Sequence, residues 1–122
     1  MNQWGKFFIE GGKKLGRTFT IIDDDLQPKG ITDAGFTNVQ TWDLKAPIGA
    51  WPKDRRLKEI GQFAQAALEQ DYEGYVSYMA NIVLGWSMDE VRVYCAHLRR
   101  EIRSAKYHVF YRQRVVWAQK PE

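Results

Sequence analysis

Trp4, Phe7, Phe8, Gly11 and Leu15 recur at spacings of three and four, with polar residues between them. That period predicts an amphipathic helix, with Asn2 as its candidate cap and Gly16 as its stop. The same period returns from Arg55 to Gln70, where Leu57, Ile60, Phe63, Ala64, Ala67 and Leu68 fall on one side. A further helix is expected from Tyr72 to Leu84, turning Tyr72, Tyr75, Val76, Met79, Ile82 and Val83 inward and ending at Gly85. Ser87-Met88-Asp89-Glu90 is a capping box. The helix it opens carries Val91, Tyr94, Cys95, Leu98 and Ile102 inward, and Arg99, Arg100 and Arg103 near the C-terminal end, where the helix dipole favours cations.

Two stretches alternate with the strand period. From Asn38 to Lys45, Gln40, Trp42 and Leu44 share one face and Val39, Thr41 and Asp43 the other. From Tyr107 to Ala118, Val109, Tyr111, Val115 and Trp117 share one parity, with no turn signal inside the run. The segment from Thr18 to Leu26 reads both ways. Phe19-Thr20-Ile21-Ile22 has strand composition, yet the run through Asp23-Asp24-Asp25 also fits a helix. Pro28 is placed to open a short second helical segment ending at Ala34, capped by Gly35.

Between the first strand and the long helix stands the corner Ala46-Pro47-Ile48-Gly49-Ala50-Trp51-Pro52. Its two prolines fix their own φ angles and push Ala46 and Trp51 out of helical geometry. Asp54 then caps the helix that opens at Arg55. Ile48 and Trp51 sit on a corner that resists collapse, as a core plug or as a pocket wall.

Composition narrows the class. The 122 residues are 44% hydrophobic and 14% aromatic, which excludes a disordered chain and fits one domain, residues 1–122. A single cysteine excludes an internal disulfide and fits a reducing, intracellular location, cytoplasmic or nuclear. No apolar run approaches a membrane span, so no membrane partner is expected. The net charge of +3 is mild, but from Arg92 to Lys120 eight basic residues face one acidic residue, Glu101. The plain reading of that end is a solvated face; anion or nucleic-acid binding is the alternative, and nucleic acid is not the expected partner.

Candidate chemistry is sparse. Gly11-Gly12-Lys13-Lys14-Leu15-Gly16 does not match a phosphate loop, and no strand runs into it. The acidic triplet Asp23–Asp25 diverges on either a helix or a strand, so a solvated run is expected, not a metal site. His97 and His108 are not spaced as ligands, and no metal is expected. Cys95 falls on an apolar face and reads as a buried thiol. No catalytic residue is identified.

The string Ala34-Gly35-Phe36, Val39, then Pro47-Ile48-Gly49-Ala50-Trp51-Pro52-Lys53-Asp54, followed by Arg56-Leu57-Lys58-Glu59-Ile60-Gly61, resembles the C-terminal half of fungal LaeA-like (UMTA-type) S-adenosylmethionine-dependent methyltransferases. The likeness extends to Trp4 and Leu15-Gly16-Arg17 before it, and to Gly85-Trp86-Ser87, Glu90-Val91 and Lys120-Pro121 after it. It implies an α/β class, with the two strands as the last, antiparallel pair of a seven-stranded class I Rossmann-like sheet. In isolation the chain is expected to be a helix-rich α+β unit, two antiparallel strands with a helical excursion between them.

The family's cofactor half would lie upstream, and no Gly-rich turn after a strand occurs here, so no cofactor-binding residue is carried over. No cofactor is therefore expected on this chain alone, with S-adenosylmethionine belonging to the complete family. A two-stranded ribbon is marginal in water and leaves open edges. A homodimer, or a partner chain completing the sheet, is expected. The substrate-side wall is what the resemblance leaves, with Trp51, Tyr75, Tyr78 and Met79 as candidate pocket residues and a small molecule as a possible substrate; the commoner role of each is plain core. Three functions follow. The first is the substrate-side or assembly region of a LaeA-like methyltransferase, which would not bind S-adenosylmethionine by itself. The second is a free-standing, cofactor-independent cyclase or isomerase of fungal secondary metabolism with an aromatic pocket. The third is a non-catalytic anion or nucleic-acid binding module.

Overall fold

The computed structural model describes residues 2–122; the side chain of Asn2, and with it the expected cap, lies outside the described residues. The elements are α1 (Asn2–Leu15), α2 (Leu26–Asp33), β1 (Thr37–Pro47), α3 (Arg55–Gln70), α4 (Tyr72–Ser77), α5 (Met88–Arg103) and β2 (Phe110–Gln119). β1 and β2 pair antiparallel, and the helices α3 to α5 lie between them in sequence. This is the expected helix-rich α+β arrangement with a two-stranded sheet.

The capped starts form as their residues dictate. The Asp54 carboxylate accepts from the Leu57 amide at 2.9 Å, and the Ser87 hydroxyl accepts from the Glu90 amide at 3.1 Å. α2 begins two residues before the expected Pro28. A proline in the first turn costs no hydrogen bond there, because those amides have no partner within the helix.

The helix expected from Tyr72 to Leu84 is not uniform. After Ser77 it widens into a π-helical segment, Tyr78–Val83, in which the Leu84 amide reaches back to the Met79 carbonyl at 3.0 Å. The wider turn buries Met79 and Ala80 side by side and swings Ile82 out, 67% exposed, against the inward position its period assigns. Gly85 and Trp86 then fold back, the Trp86 amide donating to Ala80 O at 2.8 Å.

The core lies where α1, α4 and α5 meet, around Phe7, Tyr72, Val76, Val91, Cys95, Leu98 and Ile102. Phe7 is fully buried, its ring edge-on to Trp86 at 4.7 Å and to Tyr94 at 4.8 Å. Burial of that one side chain contributes on the order of 2 kcal/mol.

One face of the two-stranded sheet is covered by the segment before β1. Arg114, on β2, donates to Asp43 on β1 at 2.7 Å and to Asp25 at 2.5 Å, and Arg112 pairs with Asp23. Asp23 and Asp25 of the acidic triplet stay solvent-exposed, as expected, and also clasp this segment to the sheet through two arginines of the same parity. Residues 21–25 form a turn rather than a strand, with the Asp24 amide donating to Thr20 O at 2.9 Å. The opposite face keeps Trp42, Val115 and Trp117 about half exposed.

α3 meets the corner at one point. The Gly49 amide donates to Gly61 O at 2.8 Å, and a methyl group on Gly61 would overlap the Gly49 carbonyl. Gly49 itself has φ 103°, which a side chain would strain.

Gly61→Ala is expected to destabilise the protein by more than about 2 kcal/mol, because backbone stands in the way of the new methyl. Chemical denaturation checks this, and an unchanged midpoint would contradict the contact. The Arg114 hydrogen bond holds the Asp43 carboxyl below its usual range. The clasp therefore stabilises above the ordinary aspartate value of about 3.9 and is lost as pH falls through the lower folded value. Asp43→Asn should flatten the dependence of stability on pH below about 4; equal slopes in mutant and parent would count against the clasp.

Candidate functional site

The Pro-rich corner acts first as a plug. Ile48 is buried, and its amide donates to Val109 O at 2.9 Å. The Trp51 indole N–H donates to the same carbonyl at 2.9 Å, and the ring stacks on His108 at 4.6 Å, nearly parallel. The corner is thereby tied to the residues just before β2.

From this anchor α3 runs to a second one. Arg103 of α5 donates to both carboxylate oxygens of Glu69, at 2.8 and 3.3 Å. That hydrogen bond holds the Glu69 carboxyl below its ordinary value and raises Arg103. α3 is thus held at its middle by Gly61 on Gly49 and near its end by Glu69 on Arg103.

Between the anchors α3 presents two small residues, Ala64 and Ala67, with Leu68 beside them. Across from these stand Leu98 and Ile102 of α5. The gap is a half-open cavity of about 400 Å³, closed at the sides by Trp4, Ile48, Tyr75, Phe110 and Tyr111. Among the described residues, no lining side chain is charged. The Tyr75, Phe110 and Tyr111 rings are each about half exposed.

Of the four pocket residues expected from the sequence, Tyr75 lines this cavity. Trp51 lies behind the corner on His108. Met79 is buried against Gly11 of α1. Tyr78 is 60% exposed and lies elsewhere. The structure brings in Trp4, Ile48, Phe110 and Tyr111, which were not among the four. Ile48 and Phe110 line one cavity because Pro47 pairs with Phe110 in the sheet. The register between two separate strands carries that information, and neither strand's pattern shows it alone.

The other chemistry-bearing groups are accounted for structurally. Cys95 is buried, and burial raises its thiol above the ordinary value, which disfavours the thiolate. Burial likewise pushes the Tyr94 phenol up to about 12. Of the arginines near the end of α5, Arg103 is engaged by Glu69 and Arg99 lies over the Tyr72 ring at 5.3 Å. Among the described residues, no three of His, Cys, Asp and Glu converge as a metal set. None of the described helices is long and apolar enough to cross a membrane.

The chain is similar to fungal proteins. It is 29% identical over 122 residues to a probable methyltransferase, tdiE, of Emericella nidulans, covering 99% of this chain and 38% of that protein. It is 33% identical over 109 residues to the methyltransferase pytC of Aspergillus terreus, covering 89% of this chain and 33% of that protein. It is 26% identical over 119 residues to the secondary metabolism regulator laeA of Fusarium oxysporum f. sp. lycopersici, covering 98% and 37%. No family model matches the chain, and no solved structure does. The chain spans about a third of the length of these curated relatives. Nearly all of it is similar in sequence to fungal proteins named as methyltransferases and as a secondary metabolism regulator.

Proposed function

We propose that these 122 residues are the substrate-side and assembly part of a LaeA-like methyltransferase, and that they do not capture S-adenosylmethionine on their own. The observation that carries this reading is the sheet. Its two strands form an antiparallel pair, and no Gly-rich turn following a strand occurs in the sequence. Cofactor capture in Rossmann-like folds depends on such a turn at the carboxyl ends of parallel strands. The described cavity offers no substitute. A zwitterionic sulfonium would lose hydration there without meeting a charged partner.

The half-exposed Trp42, Val115 and Trp117 face, and the outer edges of both strands, are where a second copy or a partner chain would complete the sheet. The cavity then serves as part of the substrate wall. Its lining supplies no carboxylate, histidine or cation for acid–base work, which favours a binding wall over a free-standing cyclase or isomerase.

Calorimetric titration of the purified chain with S-adenosylmethionine tests the proposal. No saturable heat is expected through the micromolar range. Stoichiometric binding with a micromolar Kd would overturn it.

A further inference from the structure

We infer that the cavity between α3 and α5 is a binding site for a neutral, flat aromatic molecule of about two to three rings. The inference deepens the preceding proposal, since it names the ligand class of the wall proposed there.

The cavity is built into the way α3 is held. Gly61 is pressed on the Gly49 backbone, and Glu69 is bonded twice to Arg103, so the C-terminal half of the helix is fixed at two points. Alanines at 64 and 67 then keep the span between them from filling the space to Leu98 and Ile102. A collapse of α3 onto α5 would have to break one anchor. The void is therefore a consequence of placed residues, and not of loose packing.

Its chemistry selects the occupant. The volume of about 400 Å³ lies at the small end of the range for ligand pockets, about 300–1,000 Å³. Aromatic rings from three separate elements, Trp4, Tyr75 and the Phe110–Tyr111 pair, surround the opening. Trp4 and Tyr75 stand 6.3 Å apart and tilted by 50°, and such rings pack well on the faces and edges of another ring. Among these lining side chains the hydrogen-bonding groups are the Trp4 indole and the hydroxyls of Tyr75 and Tyr111, which suit a carbonyl or hydroxyl on the ligand. No described lining side chain offers a counter-charge: the nearby Glu69 and Arg103 neutralise each other, and the Lys45 ammonium is engaged over the Phe110 ring at 5.0 Å.

Two fluorescent probes of one skeleton test this. N-phenyl-1-naphthylamine is neutral, and 1-anilinonaphthalene-8-sulfonate is the same molecule with an anionic group. The neutral probe should bind the chain one to one and at least tenfold more tightly than the sulfonate. Ala67→Trp, which fills the cavity, should weaken it at least tenfold, and Ala64→Leu is the milder variant should the first not fold. Phe63→Ser, at an exposed apolar position outside the cavity, should leave binding unchanged. Equal or tighter binding of the sulfonate, unaltered binding in a folded cavity-filling variant, or loss of binding in Phe63→Ser would each overturn the inference. Micromolar binding of S-adenosylmethionine would defeat the preceding proposal and leave this one standing; loss of probe selectivity would do the reverse.

Discussion

The contact between Gly49 and Gly61 is the constraint on which the rest of this arrangement depends. Two backbones meet with no side chain between them, and the Gly49 amide bonds to the Gly61 carbonyl. This fixes the distance of α3 from the corner. The corner is in turn fixed to the sheet, because Ile48 and Trp51 both donate to Val109 O. A long helical excursion thus returns to the sheet at a defined place. The cavity follows from this, since α3 is held at a set height over α5 and carries alanines where it faces it.

The two electrostatic links have different tasks. Glu69 with Arg103 joins helix to helix, next in sequence to the lining residues Leu68 and Ile102. Arg114 with Asp43 and Asp25 joins the segment before α2 to the sheet and covers one of its faces. Both pairs are partly solvated, and pairs of this kind add modestly to stability. Their value is geometric: each selects one docking of an element that has little buried apolar surface. α2 buries no residue at all, so the clasp largely sets its position.

Much of the fold was legible in the chain. The Ser87 box, the Asp54 cap and the alternation in the two strands fixed element type, because each rests on interactions among neighbouring residues. What local pattern missed has a common cause. The π-helical turn at Tyr78–Val83 reverses the facing of Ile82, and no propensity announces it. Phe63 keeps the helical period yet is 79% exposed, because α3 rests on the corner through Gly61 and offers nothing to cover that side. The acidic triplet is solvated as read, but its pairing with two arginines nearly ninety residues later is invisible to local pattern. The cavity was half visible: Tyr75 belonged to it, while Trp51 serves the anchor and Phe110 enters through strand register.

The most direct measurement of the central claim is amide hydrogen exchange at Gly49. If the corner is locked to α3, the Gly49 amide exchanges as slowly as core amides of α5 such as Leu98, opening only with global unfolding. Exchange at the rate of an exposed loop would contradict the claim, and with it the fixed height of α3 that creates the cavity.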